Sequence, residues 1–122
     1  MSNSQIDTDI TLLETYIEDG PVLYRYHINH LVEDMLRSCG GYDLVNELGY
    51  AALDYTEACC RLEATTDNLA RHDLRASDME AFTSAMLQNK SASWRRYKSA
   101  LTRYKAQQHN LTRPLQAPML NW

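Results

Sequence analysis

Apolar residues recur along this chain at helical spacing, and no segment keeps the alternation of a β-strand for long. Residues three and four apart lie on one helix face, so each stripe marks a face that packs against a neighbour. Glycines and prolines divide the helical blocks at Gly20-Pro21, Gly40-Gly41 and the pair Pro114 and Pro118. The pattern predicts an all-α domain, a small bundle of about four helices that are long and antiparallel.

The first two blocks are short. The first stripe comprises Ile10, Leu13 and Ile17. Thr8 or Asp9 can cap this helix and Gly20 can end it, which leaves residues 1–7 as an expected flexible N-terminus. Pro21 suits the first turn of the second helix, because that turn needs no amide donor there. The second stripe comprises Tyr24, Ile28, Leu31 and Met35, with Val32 and Leu36 beside it.

The third block is the most regular. Its heptad seam comprises Leu44, Leu48, Ala51, Tyr55, Ala58, Leu62 and Leu69. Gly49 costs a helix about 1 kcal/mol relative to alanine, so its position predicts a close helix crossing. A single helix over residues 43–75 would be about 50 Å long, against about 35 Å for a compact domain of this size. Either the helix breaks at residues 65–68, or the molecule is elongated and dimerisation is favoured.

The fourth block changes phase in its middle. Met79, Phe82 and Met86 form one stripe, and Trp94, Tyr97, Leu101 and Tyr104 form another. The shift over residues 89–93 predicts a kink or a new helix start at Ser91 or Ser93. The helical body is thereby expected to span residues 8–110.

The last segment, residues 111–122, is apolar and contains two prolines, which exclude a regular helix. We expect it to be an extended strap that contacts its own helices or another chain. The expected tail contacts are Leu115, Met119, Leu120 and Trp122. The whole chain is expected to form a single helical domain.

Charge is distributed very unevenly. Residues 1–80 hold all sixteen carboxylates and five arginines, a net charge of −11, whereas the remainder holds seven lysines and arginines and no carboxylate. The overall charge of −4 therefore conceals a dipole. Such a split indicates a charged partner, or one half of the molecule packing against the other.

Acidic residues of the second and third helices form the first candidate surface. They are Glu33, Asp43, Glu47, Asp54 and Glu57. We expect this surface to bind a protein partner that carries a basic surface. A small acidic helical protein can also imitate the phosphates of DNA. This interpretation includes an inhibitor of the type that phages or mobile elements encode.

The last helix offers the opposite chemistry. Its cations are Arg95, Arg96, Lys98, Arg103 and Lys105. Cations mixed with aromatic residues are typical of nucleic-acid binding, which makes a nucleic-acid-binding accessory protein the alternative. Helix geometry nevertheless places the aromatic residues on one stripe and the cations on its flanks. The first expected partners of these cations are therefore the chain's own carboxylates.

A metal site is the second alternative. His27, His30 and Asp34 lie at i, i+3 and i+7, so they share one face of the second helix. Imidazole and carboxylate groups at this spacing can bind a divalent metal. No second helix carries matching ligands, and we expect no cofactor.

Three cysteines, two of them adjacent, favour a reduced compartment over a disulfide framework. The chain has no apolar run of about 18 residues and no signal-peptide pattern at its start. It also lacks nucleophile-elbow, phosphate-loop and zinc-protease motifs. We therefore expect a cytoplasmic regulatory protein that is not an enzyme, has no membrane contact, and acts by binding a partner or by forming a homodimer.

Overall fold

The computed structural model contains four α-helices. They are α1 (Ser2–Asp19), α2 (Arg25–Ser38), α3 (Asp43–Arg71) and α4 (Ala76–Thr112). The backbone is described for residues 2–38, 43–71 and 76–112, and the side chains for residues 5–38, 43–68 and 78–107. Within these ranges the chain has no strand, which confirms the predicted all-α bundle.

Helix α1 begins earlier than its cap residues predicted. It starts at Ser2, so residues 2–7 of the expected flexible N-terminus, residues 1–7, are helical. The reason is Ile6, which adds one turn to the buried stripe of Ile10, Leu13 and Ile17. Asp9 does not cap the helix, because it lies inside it and accepts a 2.9 Å hydrogen bond from Gln5 Nε2.

Gly20 ends α1, as predicted. Its φ of 156° is one that residues with a side chain rarely adopt, and its amide donates to the carbonyl of Tyr16 at 3.0 Å. The carbonyl of Gly20 then accepts from the amide of Tyr24 at 3.0 Å. Residues 21–24 form this turn, so Pro21 precedes α2 and does not lie in its first helical turn.

Helices α2 and α3 cross closely at Gly49. A Cβ atom placed there would lie 3.1 Å from both Val32 Cγ1 and Leu36 Cδ2, which is tighter than ordinary van der Waals contact. A methyl group there would require these side chains to shift by a few tenths of an ångström, so glycine lets the two helices approach closely. This observation confirms the predicted close crossing.

Helices α3 and α4 are both continuous. At 1.5 Å per residue, α4 is about 55 Å long and α3 about 44 Å. The breaks predicted at residues 65–68 and 89–93 do not occur, and the elongated alternative is the one observed. At the predicted phase change, Ser93 is buried and its hydroxyl donates to the carbonyl of Asn89 at 2.9 Å. The helix satisfies this polar group internally, so no new start is needed.

Helices α1 and α2 cover only one half of the α3–α4 hairpin. Buried side chains extend from Val45 to Cys59 in α3 and from Ser93 to Tyr104 in α4. None of the side chains described over residues 60–68 and 78–92 is buried. We call residues 5–38, 43–59 and 93–107 the covered region, and residues 60–71 and 76–92 the hairpin extension.

Candidate functional site

The predicted acidic face and the predicted basic helix meet along one edge of the α3–α4 hairpin. Two guanidinium nitrogens of Arg103 donate to the carboxylate of Glu47, one of them at 3.0 Å. Arg96 Nη1 lies 3.6 Å from Asp54 Oδ2. Both acids and both bases are seven residues apart, so in antiparallel helices the two rows meet in register. These residues were proposed separately as protein-binding and nucleic-acid-binding, and the structure pairs them with each other.

The other predicted acidic contacts are arranged differently. Glu57 accepts a 2.7 Å hydrogen bond from Arg61 of the same helix. Glu33 Oε2 lies 3.8 Å from His30 Nδ1, with both side chains exposed, and Asp43 is exposed in the first turn of α3. The five carboxylates therefore do not form one unpaired surface.

A third predicted nucleic-acid contact holds α1 against α4. Lys105 Nζ lies 3.0 Å from Glu14 Oε2, and the hydroxyl of Tyr104 donates to Asp7 Oδ1. Burial raises the pKa of Tyr97, and the negative charges of Glu14 and Glu18 raise it further. The side chain that these acids face is therefore a neutral, protonated tyrosine. Of the five predicted nucleic-acid cations, Arg96, Arg103 and Lys105 are thus paired inside the chain.

The remaining cations lie on the opposite edge of α4. Lys98 Nζ lies 5.4 Å from the centroid of the Trp94 ring, a cation–π distance. Lys90 and Arg95 line a groove beside the same ring. Among the described residues, none of these three cations forms an ion pair with a carboxylate.

The groove beside Trp94 opens where the cover of α1 and α2 ends. It is a cavity of about 390 Å³ lined by Tyr55, Leu87, Lys90, Ser91, Trp94 and Arg95. The centroids of the Tyr55 and Trp94 rings are 4.9 Å apart. Burial raises the pKa of Tyr55 to about 12, helped by its hydrogen bond with Cys59, so the hydroxyl is protonated at neutral pH. The groove therefore combines apolar rings with cations.

The hairpin therefore has two edges of different chemistry. We call the first the ion-paired edge, and it comprises Glu47, Asp54, Glu57 and Arg61 of α3 with Phe82, Asn89, Arg96 and Arg103 of α4. Phe82 belongs to it because it continues the seven-residue spacing of Asn89, Arg96 and Arg103. We call the second the aromatic edge, and it comprises Tyr55 of α3 with Glu80, Leu87, Lys90, Ser91, Trp94 and Arg95 of α4. Glu80, Leu87 and Trp94 are likewise seven apart.

The hairpin extension exposes apolar and acidic residues together. Phe82 is 54% exposed and Leu87 47% exposed, although Phe82 was predicted to lie on a buried stripe. That stripe is exposed because neither α1 nor α2 reaches it. The described carboxylates of the extension, Glu63, Asp67, Asp78 and Glu80, are all exposed. Between residues 62 and 87 the sequence holds five carboxylates against two arginines, so the distal end is acidic.

A small cavity lies on the ion-paired edge. It has a volume of about 200 Å³, and its lining is Asp54, Glu57, Ala58, Arg61, Asn89, Ser93 and Arg96. Apart from Ala58 these side chains are polar, and the ion pairs that cross it are mostly exposed. Exposed ion pairs stabilise by about 0–1 kcal/mol, so a partner can re-pair them at little cost.

The predicted metal ligands line one groove but are not arranged to hold a metal ion. The His27 ring lies 5.4 Å from the Tyr16 ring, and Asp34 pairs with Arg37 at 3.3 Å. Within the described part of the chain, no group of three His, Cys, Asp or Glu side chains is placed to hold a metal ion. The arrangement of these residues therefore gives no support to the metal alternative at His27, His30 and Asp34. These residues instead line an apolar groove on the outer face of α1 and α2, beside Tyr26, which is 73% exposed.

The described cysteines do not resemble reactive thiols. Cys59 is buried and Cys60 half-buried, and burial raises the pKa of both. Both thiols are therefore protonated at neutral pH, and Cys59 serves as the small apolar filler that its position predicted.

The predicted tail contacts Leu115, Met119, Leu120 and Trp122 lie outside the described residues. No described helix combines the length and the apolar character that crossing a membrane requires. Comparisons with protein-family models, with curated proteins and with solved structures found no match. A functional assignment therefore depends on the chemistry of the two edges.

Proposed function

We propose that the protein is a non-catalytic regulatory protein that binds a protein partner through the distal part of the ion-paired edge. The observation that supports this proposal is the exposure of Phe82, 54%, on the uncovered extension. The polar cavity, with the exposed ion pair of Glu57 and Arg61, begins at Asn89 on the same edge, about two helical turns along α4 from Phe82. An aromatic side chain next to adaptable polar groups is the composition typical of a binding hot spot.

The covered region shows what such a partner supplies. There, α1 and α2 bury the apolar faces of α3 and α4, and burial stabilises by about 25 cal/mol per Å² of apolar surface. The extension has the same amphipathic helices without that cover. A partner helix or groove laid on it removes Phe82 from water and gains the corresponding free energy.

Charge indicates the chemistry of the partner. The distal end of the extension is acidic, and Asp78 of α4 is exposed four residues before Phe82. A partner with a basic rim around an apolar contact complements this end. The proposal keeps the predicted acidic recognition but moves it to the extension from the predicted surface of α2 and α3, which comprised Glu33, Asp43, Glu47, Asp54 and Glu57.

Nucleic acid remains the weaker alternative. Three of its five predicted cations, Arg96, Arg103 and Lys105, already bind carboxylates of this chain. The distal acidic residues also repel a phosphate backbone. If this alternative holds, an oligonucleotide binds at low salt and Arg95→Glu abolishes its binding. The absence of retention at low salt excludes it.

The proposal is tested by capture from the native host with matched variants. We expect the tagged full chain to retain one polypeptide after nuclease treatment, and Phe82→Glu to lose it. Tyr26→Glu changes a more exposed aromatic residue, which lies in the groove formed by α1 and α2, and is expected to retain it. Circular dichroism of both variants should match the wild type, because neither residue is buried. Equal loss with both variants, or sensitivity to nuclease, contradicts the proposal.

A further inference from the structure

The aromatic edge is self-complementary, and we infer that it pairs with the same edge of a second copy of the chain in antiparallel order. This inference relies on the proposed use of the extension as a protein-binding surface, but it concerns the edge opposite to Phe82. Three observations support it: where the edge lies, how its charges are ordered, and which residue is at its middle.

The aromatic edge continues the side of the hairpin that α1 and α2 cover. Lys105 lies eighteen residues, or five helical turns, after Leu87 and so on the same face of α4, and its Nζ is 3.0 Å from Glu14 Oε2 of α1. Ser93 is the first buried residue in the described part of α4. The cover therefore ends beside Trp94, and the groove begins there. A second hairpin placed on this side would extend the four-helix packing toward the free end.

The charges of this edge are ordered along α4. Glu80 lies toward the free end of the extension, and Lys90 and Arg95 lie toward the covered region. The separation from Glu80 to Arg95 is about 22 Å at 1.5 Å per residue. In a two-fold pair, residue i of one copy meets residue j of the other and the reverse. Antiparallel pairing therefore places Glu80 beside Arg95 twice, whereas parallel pairing opposes like charges.

Leu87 occupies the middle of this arrangement. It lies midway between Glu80 and Arg95 in sequence, shares their edge, and is 47% exposed. When Glu80 meets Arg95, the two-fold axis passes beside Leu87, which contacts its own counterpart. An apolar residue at the axis with opposite charges on each side has the apolar-core and polar-rim order of known interfaces.

The expected interface is small. The face is about 25 Å long and about 20 Å wide, the width of two helices, so it offers about 500 Å² per copy. This area is below the roughly 800 Å² per partner of a standard interface. Such an area corresponds to a weak, concentration-dependent dimer rather than an obligate one. Because the axis lies beside Leu87, the opposite edges with Phe82 remain free, and each dimer presents two of them.

A charge swap tests the pairing by analytical ultracentrifugation of the full chain across a concentration series. We expect a monomer–dimer equilibrium for the wild type, and at least tenfold weaker association for Glu80→Lys or Arg95→Glu. Each single variant places like charges together twice. The double variant, Glu80→Lys with Arg95→Glu, should regain association. An equimolar mixture of the two single variants should form a heterodimer, because each supplies the charge that the other lacks.

Cysteine cross-linking tests the axis independently. We expect Leu87→Cys to form a disulfide-linked dimer on mild oxidation, whereas Phe82→Cys and the wild type do not. A chain that is monomeric at every concentration overturns the inference. A dimer whose affinity does not change in the charge variants, and that is not cross-linked through position 87, also overturns it. Displacement of the dimer by an oligonucleotide assigns the edge to nucleic acid instead. None of these results affects the capture experiment with Phe82→Glu, so the two proposals can fail separately.

Discussion

The covered region and the hairpin extension are two lengths of the same pair of helices, yet only the covered region has a buried core. In the covered region, Leu48 of α3 is fully buried and Leu101 of α4 nearly so, because α1 and α2 lie on them. In the extension, Leu87 and Phe82 are about half exposed. The helical pattern is similar in both, so burial here is determined by how far the short helices reach.

Side-chain bonds show the same difference between the two regions. Lys105 with Glu14, and Tyr104 with Asp7, join α4 to α1 across the covered region. The extension has no such bond to a third helix among its described residues. Its helices are held by each other and by continuity with the covered region. Helical segments of this length are marginal alone in water, so we regard the covered region as the folding unit.

The largest expected effect compares two leucines. Leu48→Ala should lower the free energy of unfolding by about 3 kcal/mol, because a fully buried leucine leaves a cavity. Leu87→Ala should lower it by less than about 0.5 kcal/mol, as for other exposed positions. Urea unfolding followed by circular dichroism at low protein concentration measures both. Equal losses would mean that the extension is as well packed as the covered region.

A second comparison concerns substitutions that add side-chain volume instead of removing it. Gly49→Leu should destabilise by about 2 kcal/mol, because the side chain must displace Val32 and Leu36. Gly49→Ala should be near neutral, because tight contact offsets about 1 kcal/mol of helix propensity. Ala85→Leu, at an exposed position of the extension, should change stability by less than about 0.5 kcal/mol. Thermal unfolding of the three variants measures these changes in stability. A Gly49→Leu variant as stable as the wild type would contradict the close crossing.

A third comparison concerns two threonines of α3. The hydroxyl of Thr56 is buried without a hydrogen-bond partner among the described residues, whereas Thr66 is exposed and its hydroxyl donates to the carbonyl of Leu62 at 2.8 Å. Thr56→Val should stabilise by about 1 kcal/mol, because it removes an unsatisfied polar group without changing the shape. Thr66→Val should give no gain. If Thr56→Val destabilises the protein, its hydroxyl has a partner in solution.

The smallest expected effect is that of the ion-paired edge. A double-mutant cycle with Glu47→Gln and Arg103→Gln should give a coupling of about 0.5 kcal/mol, because both side chains are about half exposed. The coupling should decrease further as salt is added. A salt-insensitive coupling above about 2 kcal/mol would show that this edge is an integral part of the fold.

The sequence was sufficient to predict the four helices and most of the buried core residues. Ile10, Leu13 and Ile17 are buried as their spacing predicted, and Gly49 marks a close crossing as its cost in a helix predicted. The predicted restart near Ser93 was wrong. A serine can lie on a buried helix face when its hydroxyl bonds to the preceding turn, and a polarity pattern does not contain that information.

The two edges could be predicted only in part. The sequence predicted that the cations of the last helix would meet the chain's own carboxylates, but the register of α3 against α4 determines that Glu47 and Asp54 are two of them. The exposure of Phe82 could be predicted from the lengths of the helices, but not from the spacing of apolar residues. Glycines delimit the first two blocks, so α1 has 18 residues and α2 has 14. In contrast, α3 has 29 residues and α4 has 37. Helices that short cannot cover the whole hairpin.

Because α4 is one continuous helix, the orientation of the extension depends on the number of residues in α4. Each residue added to a helix turns everything beyond it by about 100°, so a one-residue insertion near Ser91 would rotate Phe82 and Leu87 away from the edges they share with Arg96 and Trp94. An insertion of seven residues in α4, matched by seven in α3, would restore both edges. Length variation in this protein is therefore expected in whole heptads and in both helices at once.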